Sequence, residues 1–195
     1  MRKPSTLLFL ISICFSLNAQ TNLDKAKEQL HELKNGVLLV RLFTNDAKIS
    51  GLEAAGKTSE ANKTAQAQQR ENKDILLSFS QVFQFCPVFF FYSDDSEYIR
   101  NGNFDGKIFD SSLTLVDPSE ITGTVFTAEF SETENLGIEG LIIMDDQLFP
   151  LEAPFPFYQR KYTVFGVVSL TKSRMVHRLN NKLRDTYKLW FPEAK

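Results

Sequence analysis

Two short apolar runs, "VLLVRLF" (residues 37–43) and "PVFFFYS" (residues 87–93), constrain what this chain can fold into more than any other feature. Both are rich in branched or aromatic side chains, and both read as buried strands. Pro87 fits the first position of its run, where a missing N–H costs no ladder hydrogen bond. Between the runs lies a polar stretch rich in Ala, Gln, Lys and Glu, starting near Ile49 and turning apolar only at "ILLSFSQVF". It reads as one long helix, or two broken near Gly56, solvated over most of its first half. Ahead of the first run, Leu23, Ala26, Leu30 and Leu33 recur at helical spacing, with Asn35-Gly36 as a stop signal.

The second half changes character. Short runs, "KIF", "LTLV", "TVFTAEF", "GLIIM" and "QLFPL", alternate with turn residues such as "NGNFDG", "DPSE" and "DD". "GLIIMDDQLFPL" reads as a hairpin with Asp145-Asp146 at its turn, and "EAPFPFYQ", with two prolines, as extended loop. Met175, Val176, Leu179, Leu183 and Trp190 then mark one face of a C-terminal amphipathic helix. The expected fold is α/β or α+β: a mixed sheet with packed helices, formed as one domain by residues 20–195.

The first residues give an address. "MRKPSTLLFLISICFSLNAQT" combines a basic start (Arg2, Lys3), an apolar core from Leu7 to Leu17 and a small residue, Ala19, before Gln20. This is the pattern of a secretory signal peptide over residues 1–19. The apolar core falls well short of the roughly 20 residues that a spanning helix needs. Cys14 follows Ile13, where a lipoprotein signal wants a small residue. The expectation is an exported chain with no transmembrane segment after processing, in a periplasm, cell envelope or extracellular space. The sequon "NKT" at Asn62 matters only in a eukaryotic secretory route.

Composition fits a folded chain without bridges. The sequence is 43% hydrophobic and holds 18 Phe, far from the composition of disorder. Removing Arg2 and Lys3 lowers the formal charge from −2 to −4, which argues against general affinity for nucleic acid. Only Cys86 remains after processing, so no internal disulfide can form.

Two motifs invite a functional reading and fail on their own chemistry. "GLEAAGKTS" (51–59) fits the phosphate-loop pattern GxxxxGK[ST], and "GLIIMDDQ" imitates its companion strand. A phosphate loop must open directly from a strand. Here "TNDAKIS" intervenes, and Leu52, Glu53, Ala54 and Ala55 favour a helix. Gly56 reads as a helix stop, with Thr58 or Ser59 capping the next helix; Lys57 is not expected to bind nucleotide. "NGNFDGKIFDSS" places Asn101, Asn103, Asp105 and Gly106 like a calcium loop, but its twelfth position is Ser112, which offers no bidentate ligand. It reads as a glycine-rich turn.

No site follows from the remaining residues. Cys86, in "FQFCPVFFFYS", reads as a buried thiol, and His31 or His177 would have to activate it. Two histidines and one cysteine make no zinc cluster, and no cofactor motif is present. Asp94 with Asp95 and Glu132 with Glu134 read as solvated loop charge, although a pair of acids from distant positions could serve a glycosidase. The expected function is non-catalytic, a binding or structural role in the cell envelope. The alternative is an exported hydrolase-like enzyme using carboxylates or Cys86. A deep pocket gathering carboxylates, or Cys86 beside a histidine, would point to the enzyme; a shallow surface with an exposed apolar patch at "APFPFY" would point to binding.

Charge is segregated along the chain. Residues 94–152 hold fourteen acidic side chains against Arg100 and Lys107, whereas residues 172–188 hold Lys172, Arg174, Arg178, Lys182, Arg184 and Lys188 against Asp185. The C-terminal helix is therefore expected to dock on the core, with anionic surface binding by its basic face as the second reading.

Overall fold

The computed structural model describes residues 21–132, 139–162 and 168–192; the signal-peptide segment and Glu134 lie outside them. Helix α1 (residues 21–35) precedes β1 (Val37–Leu42), followed by α2 (Asp46–Ala54), α3 (Thr58–Val82), β2 (Val88–Tyr92) and the short α4 (Ser96–Arg100). Strands β3 (Val125–Glu132), β4 (Glu139–Met144) and β5 (Tyr158–Arg160) then lead to α5 (Lys172–Trp190). The strands form one mixed sheet in the order β2-β1-β3-β4-β5. Strand β1 runs parallel to both β2 and β3, while β3, β4 and β5 are antiparallel in turn.

Strand β1 is buried on both faces, which is why it reads as an unbroken apolar run. Leu38, Val40 and Leu42 face a core shared with Leu30 and Leu33 of α1, Ile75 and Phe79 of α3, and Met175, Val176, Leu179 and Leu183 of α5. Val37 and Leu39 point the other way, against Phe91, Ile99, Ile108 and Val116. The long crossover from β1 to β2 thus covers one face with helix. The connection from β2 to β3 covers the other with α4 and the irregular stretch after it. The starts of β1 and β3 touch through glycine: a Cβ at Gly36 would run into the Thr124 carbonyl, and one at Gly123 would lie 2.9 Å from the Asn35 carbonyl oxygen.

Most expected elements are present, and some expectations are corrected. The run "GLEAAGKTS" is helix, turn, helix: Gly51 to Ala54 lie inside α2, and Gly56 turns the chain at φ +73. Lys57, rather than Thr58 or Ser59, occupies the N-cap of α3, and no side chain caps it. Of the short runs in the second half, "KIF", "LTLV" and "QLFPL" reach only isolated bridges, Phe90 to Phe109, Phe109 to Leu115 and Met144 to Pro150. "EAPFPFYQ" is not all loop, because Tyr158 opens β5 and pairs with Ile142. Nor is it an exposed patch: Phe155 is 2% exposed and belongs to the main core. The expected hairpin at Asp145 is present, closed by its carboxylate, which accepts from the Gln147 and Phe149 N–H groups at 3.0 and 2.8 Å.

Candidate functional site

In a sheet with parallel strands, ligands gather beyond the carboxyl ends, where successive connections leave in opposite directions. Here β1 connects towards β2 on one side, and β2 returns to β3 on the other. On the helical face, a groove of about 420 Å³ lies at the carboxyl end of β3. Phe130, Ser131 and Glu132 of β3 form its floor with Glu139 and Gly140 of β4. Glu71 and Asp74 of α3 form one wall, and Lys161, Thr171 and Lys172 the other.

Helical spacing brings the α3 acids together, since residues three apart share a face. Lys172 Nζ lies 2.6 Å from Glu71 Oε1 and 3.8 Å from Asp74 Oδ2, and sits 5.4 Å from the Phe130 ring centre. Lys172 is the first residue of α5, positioned by Thr171, whose hydroxyl accepts the Arg174 N–H at 3.3 Å. Across the groove, Lys161 Nζ lies 2.6 Å from Glu139 Oε2. That hydrogen bond holds the Glu139 carboxyl below the usual carboxylate range and the Lys161 ammonium above its own. Among the described residues, four carboxylates thus face two lysines, and these side chains together carry net negative charge in an open, solvated setting. The chain matches no family model, no curated protein and no solved structure.

Of the residues singled out in the sequence, Glu132, Lys172 and Met175 line the groove; the candidate site residues other than Glu132 lie elsewhere. Lys57 pairs with Glu60 at 3.5 Å on the surface of α3. Asp94 and Asp95 are not merely solvated: Asp94 Oδ1 accepts from Thr44 Oγ1 at 2.5 Å, and Asp95 pairs with Lys107 at 2.8 Å. The Lys107 ammonium therefore already neutralises an acid beside the "NGNFDG" turn. Among the described residues, no three His, Cys, Asp or Glu side chains are grouped so as to hold a metal ion.

Cys86 carries a free thiol, packed against the main core, and burial pushes it up to about 12. Neither histidine is its partner. His31 Nε2 meets Asn35, its Nδ1 meets the Tyr187 hydroxyl at 3.3 Å, and its ring packs on Phe191. His177 Nε2 meets Asn181 at 3.1 Å.

Glu71, Asp74, Glu139 and Lys161 escaped the sequence reading. The only local signal was Glu71 and Asp74 at i and i+3; the rest of the groove exists because three distant segments meet there.

Proposed function

We propose that the protein is an exported, non-catalytic binding domain whose α3–α5 groove takes a small polar ligand bearing an ammonium group. The carrying observation is the convergence of Glu71, Asp74, Glu132 and Glu139 on one open groove that, among the described residues, contains two lysines. An ammonium ligand would make charge-assisted hydrogen bonds there with acids already oriented by Lys161 and Lys172. Export rests on the signal-peptide pattern of residues 1–19.

A hydrolase working in the same groove is the second reading, because the groove does collect carboxylates. A glycosidase pair needs one acid kept protonated near neutral pH by burial or a neighbouring anion. Glu139 is shifted in the opposite direction, and Glu71 and Asp74 are about half exposed beside an ammonium. A thiol held at about 12 supplies little thiolate to a nucleophilic mechanism.

Calorimetric titration of the purified protein with a panel of diamines, amino acids and cationic peptides tests the proposal. Binding by a panel member should be lost in Glu71→Gln/Asp74→Asn. If no amine produces heat, or the double variant binds undiminished, the reading fails. Turnover of glycoside or ester substrates that vanishes in Glu132→Gln or Glu139→Gln would replace it with the hydrolase.

A further inference from the structure

A second cavity, of about 280 Å³, opens at the opposite end of α5 and is lined by Lys34, Gln84, Phe85, Arg184, Tyr187 and Lys188. Three elements build it: the last turn of α1, the segment between α3 and β2, and the C-terminal half of α5. Its chemistry is the reverse of the first groove. All three ionisable side chains other than Tyr187 are cationic, and among the described residues no carboxylate lies within ion-pair distance of Lys34, Arg184 or Lys188.

Helix ends alone account for part of this charge, since cations favour the C-termini of helices such as α1 and α5. They do not account for its convergence on a cavity. Lys34 is fixed there: its ammonium donates to the Phe85 carbonyl oxygen at 2.7 Å and lies 5.3 Å from the Phe85 ring centre. The Phe85 ring meets Tyr187 edge to face at 5.9 Å, and Tyr187 is held from behind by His31. A rigid aromatic floor thus carries one ammonium, with a guanidinium and a second ammonium on the α5 wall and the Gln84 amide at the rim.

Two other basic residues of the helix are occupied elsewhere. Lys172 is ion-paired in the first groove, and Lys182 donates to the Tyr158 carbonyl oxygen at 3.4 Å, with its pKa lowered by burial. Arg184 and Lys188 are the α5 cations that line the second cavity.

We propose that Lys34, Arg184 and Lys188 form a binding site for a phosphate group. A planar guanidinium matches two oxygens of such a group at once, and the lysines act as point charges. Three cations suit a multiply charged phosphate better than a single carboxylate. The volume fits a headgroup or a short phosphate, being at the lower bound of ligand pockets, roughly 300 Å³.

The phosphate could belong to a free anion or to a lipid headgroup, and two measurements on the purified protein separate these. In the first, pyrophosphate is titrated calorimetrically at about 20 and about 200 mM sodium chloride, a range over which charge screening changes strongly. In the second, sedimentation with phosphatidylglycerol vesicles is compared with phosphatidylcholine vesicles. Binding in either arm should weaken with salt, fall at least tenfold in Arg184→Gln/Lys188→Gln and in Lys34→Met, and survive in Glu71→Gln/Asp74→Asn. Pyrophosphate binding identifies a free anion; vesicle binding without it identifies a headgroup. Binding that is undiminished in the Arg184/Lys188 variant, or absent in both arms, overturns the proposal. Because all three cations are exposed, unchanged melting of the variants keeps either outcome interpretable.

Discussion

The Asn180 side chain, 3% exposed, accepts a hydrogen bond at 2.8 Å from the backbone N–H of Gln84, 96 residues earlier. It ties the middle of α5 to the segment leaving α3, where the Gln84 N–H has no helical carbonyl to reach. Replacing Asn180 by Leu adds apolar surface to an apolar helix face, yet leaves that N–H without its partner, at a cost of about 1–3 kcal/mol. The expected result is a lower urea midpoint for Asn180→Leu and for Asn180→Ala. An unchanged or raised midpoint for Asn180→Leu would show that water or relaxation satisfies the donor.

That contact also marks the limit of what the chain shows before it folds. The apolar stripe of α5 and the two-sided burial of β1 follow from spacing alone, because periodicity records which side of an element meets the core. Asn180 lies on the same stripe but carries no signal, since its meaning depends on a backbone group almost a hundred residues away. The first groove is hidden for the same reason: Glu71, Glu139 and Lys172 are ordinary surface residues until α3, β4 and α5 meet. Tyr158 was obscured differently, by two nearby prolines that suggested loop, although pairing with β4 needed only three residues.

Helix α5 should be indispensable to stability while part of its charge is not. Met175, Val176, Leu179 and Leu183 are each at most 4% exposed, and burying four such side chains contributes about 6–12 kcal/mol, comparable with the whole stability of a domain. Deleting residues 173–195 should abolish the cooperative thermal transition. Arg178→Gln/Lys182→Gln/Arg184→Gln should keep it, with only a small loss from Lys182. A truncated chain that melts like the full protein would place the core elsewhere.

Two glycines should respond very differently to alanine. At Gly56 the backbone is left-handed (φ +73) but the space around a Cβ is open, so Gly56→Ala should cost only about 1–2 kcal/mol of backbone strain. At Gly36 the added Cβ collides with the Thr124 backbone, which can yield only by separating β1 from β3. Gly36→Ala should therefore lower the melting temperature several times more than Gly56→Ala. Equal effects would contradict the close approach of the two strand starts.

Cys86 should be recognisable by its behaviour in alkali. Its thiol titrates at about 12 in the folded chain against 9.0 for the free group, because burial disfavours the thiolate. Well below pH 9.0 both states hold the proton and the group adds no pH dependence. Between 9.0 and about 12 the unfolded chain releases its proton while the folded chain keeps it, so stability falls as pH rises, by up to about 1.4 kcal/mol per pH unit. Lysines and tyrosines titrate in the same window, so the decisive quantity is a difference: urea midpoints measured from pH 8.5 to 11 should fall more steeply for the native sequence than for Cys86→Ala. A maleimide at neutral pH should likewise label the folded protein slowly and the urea-unfolded protein fast. Parallel pH profiles for the two proteins, or rapid labelling of the folded form, would mean that the thiol is solvated, and would return Cys86 to consideration as a nucleophile.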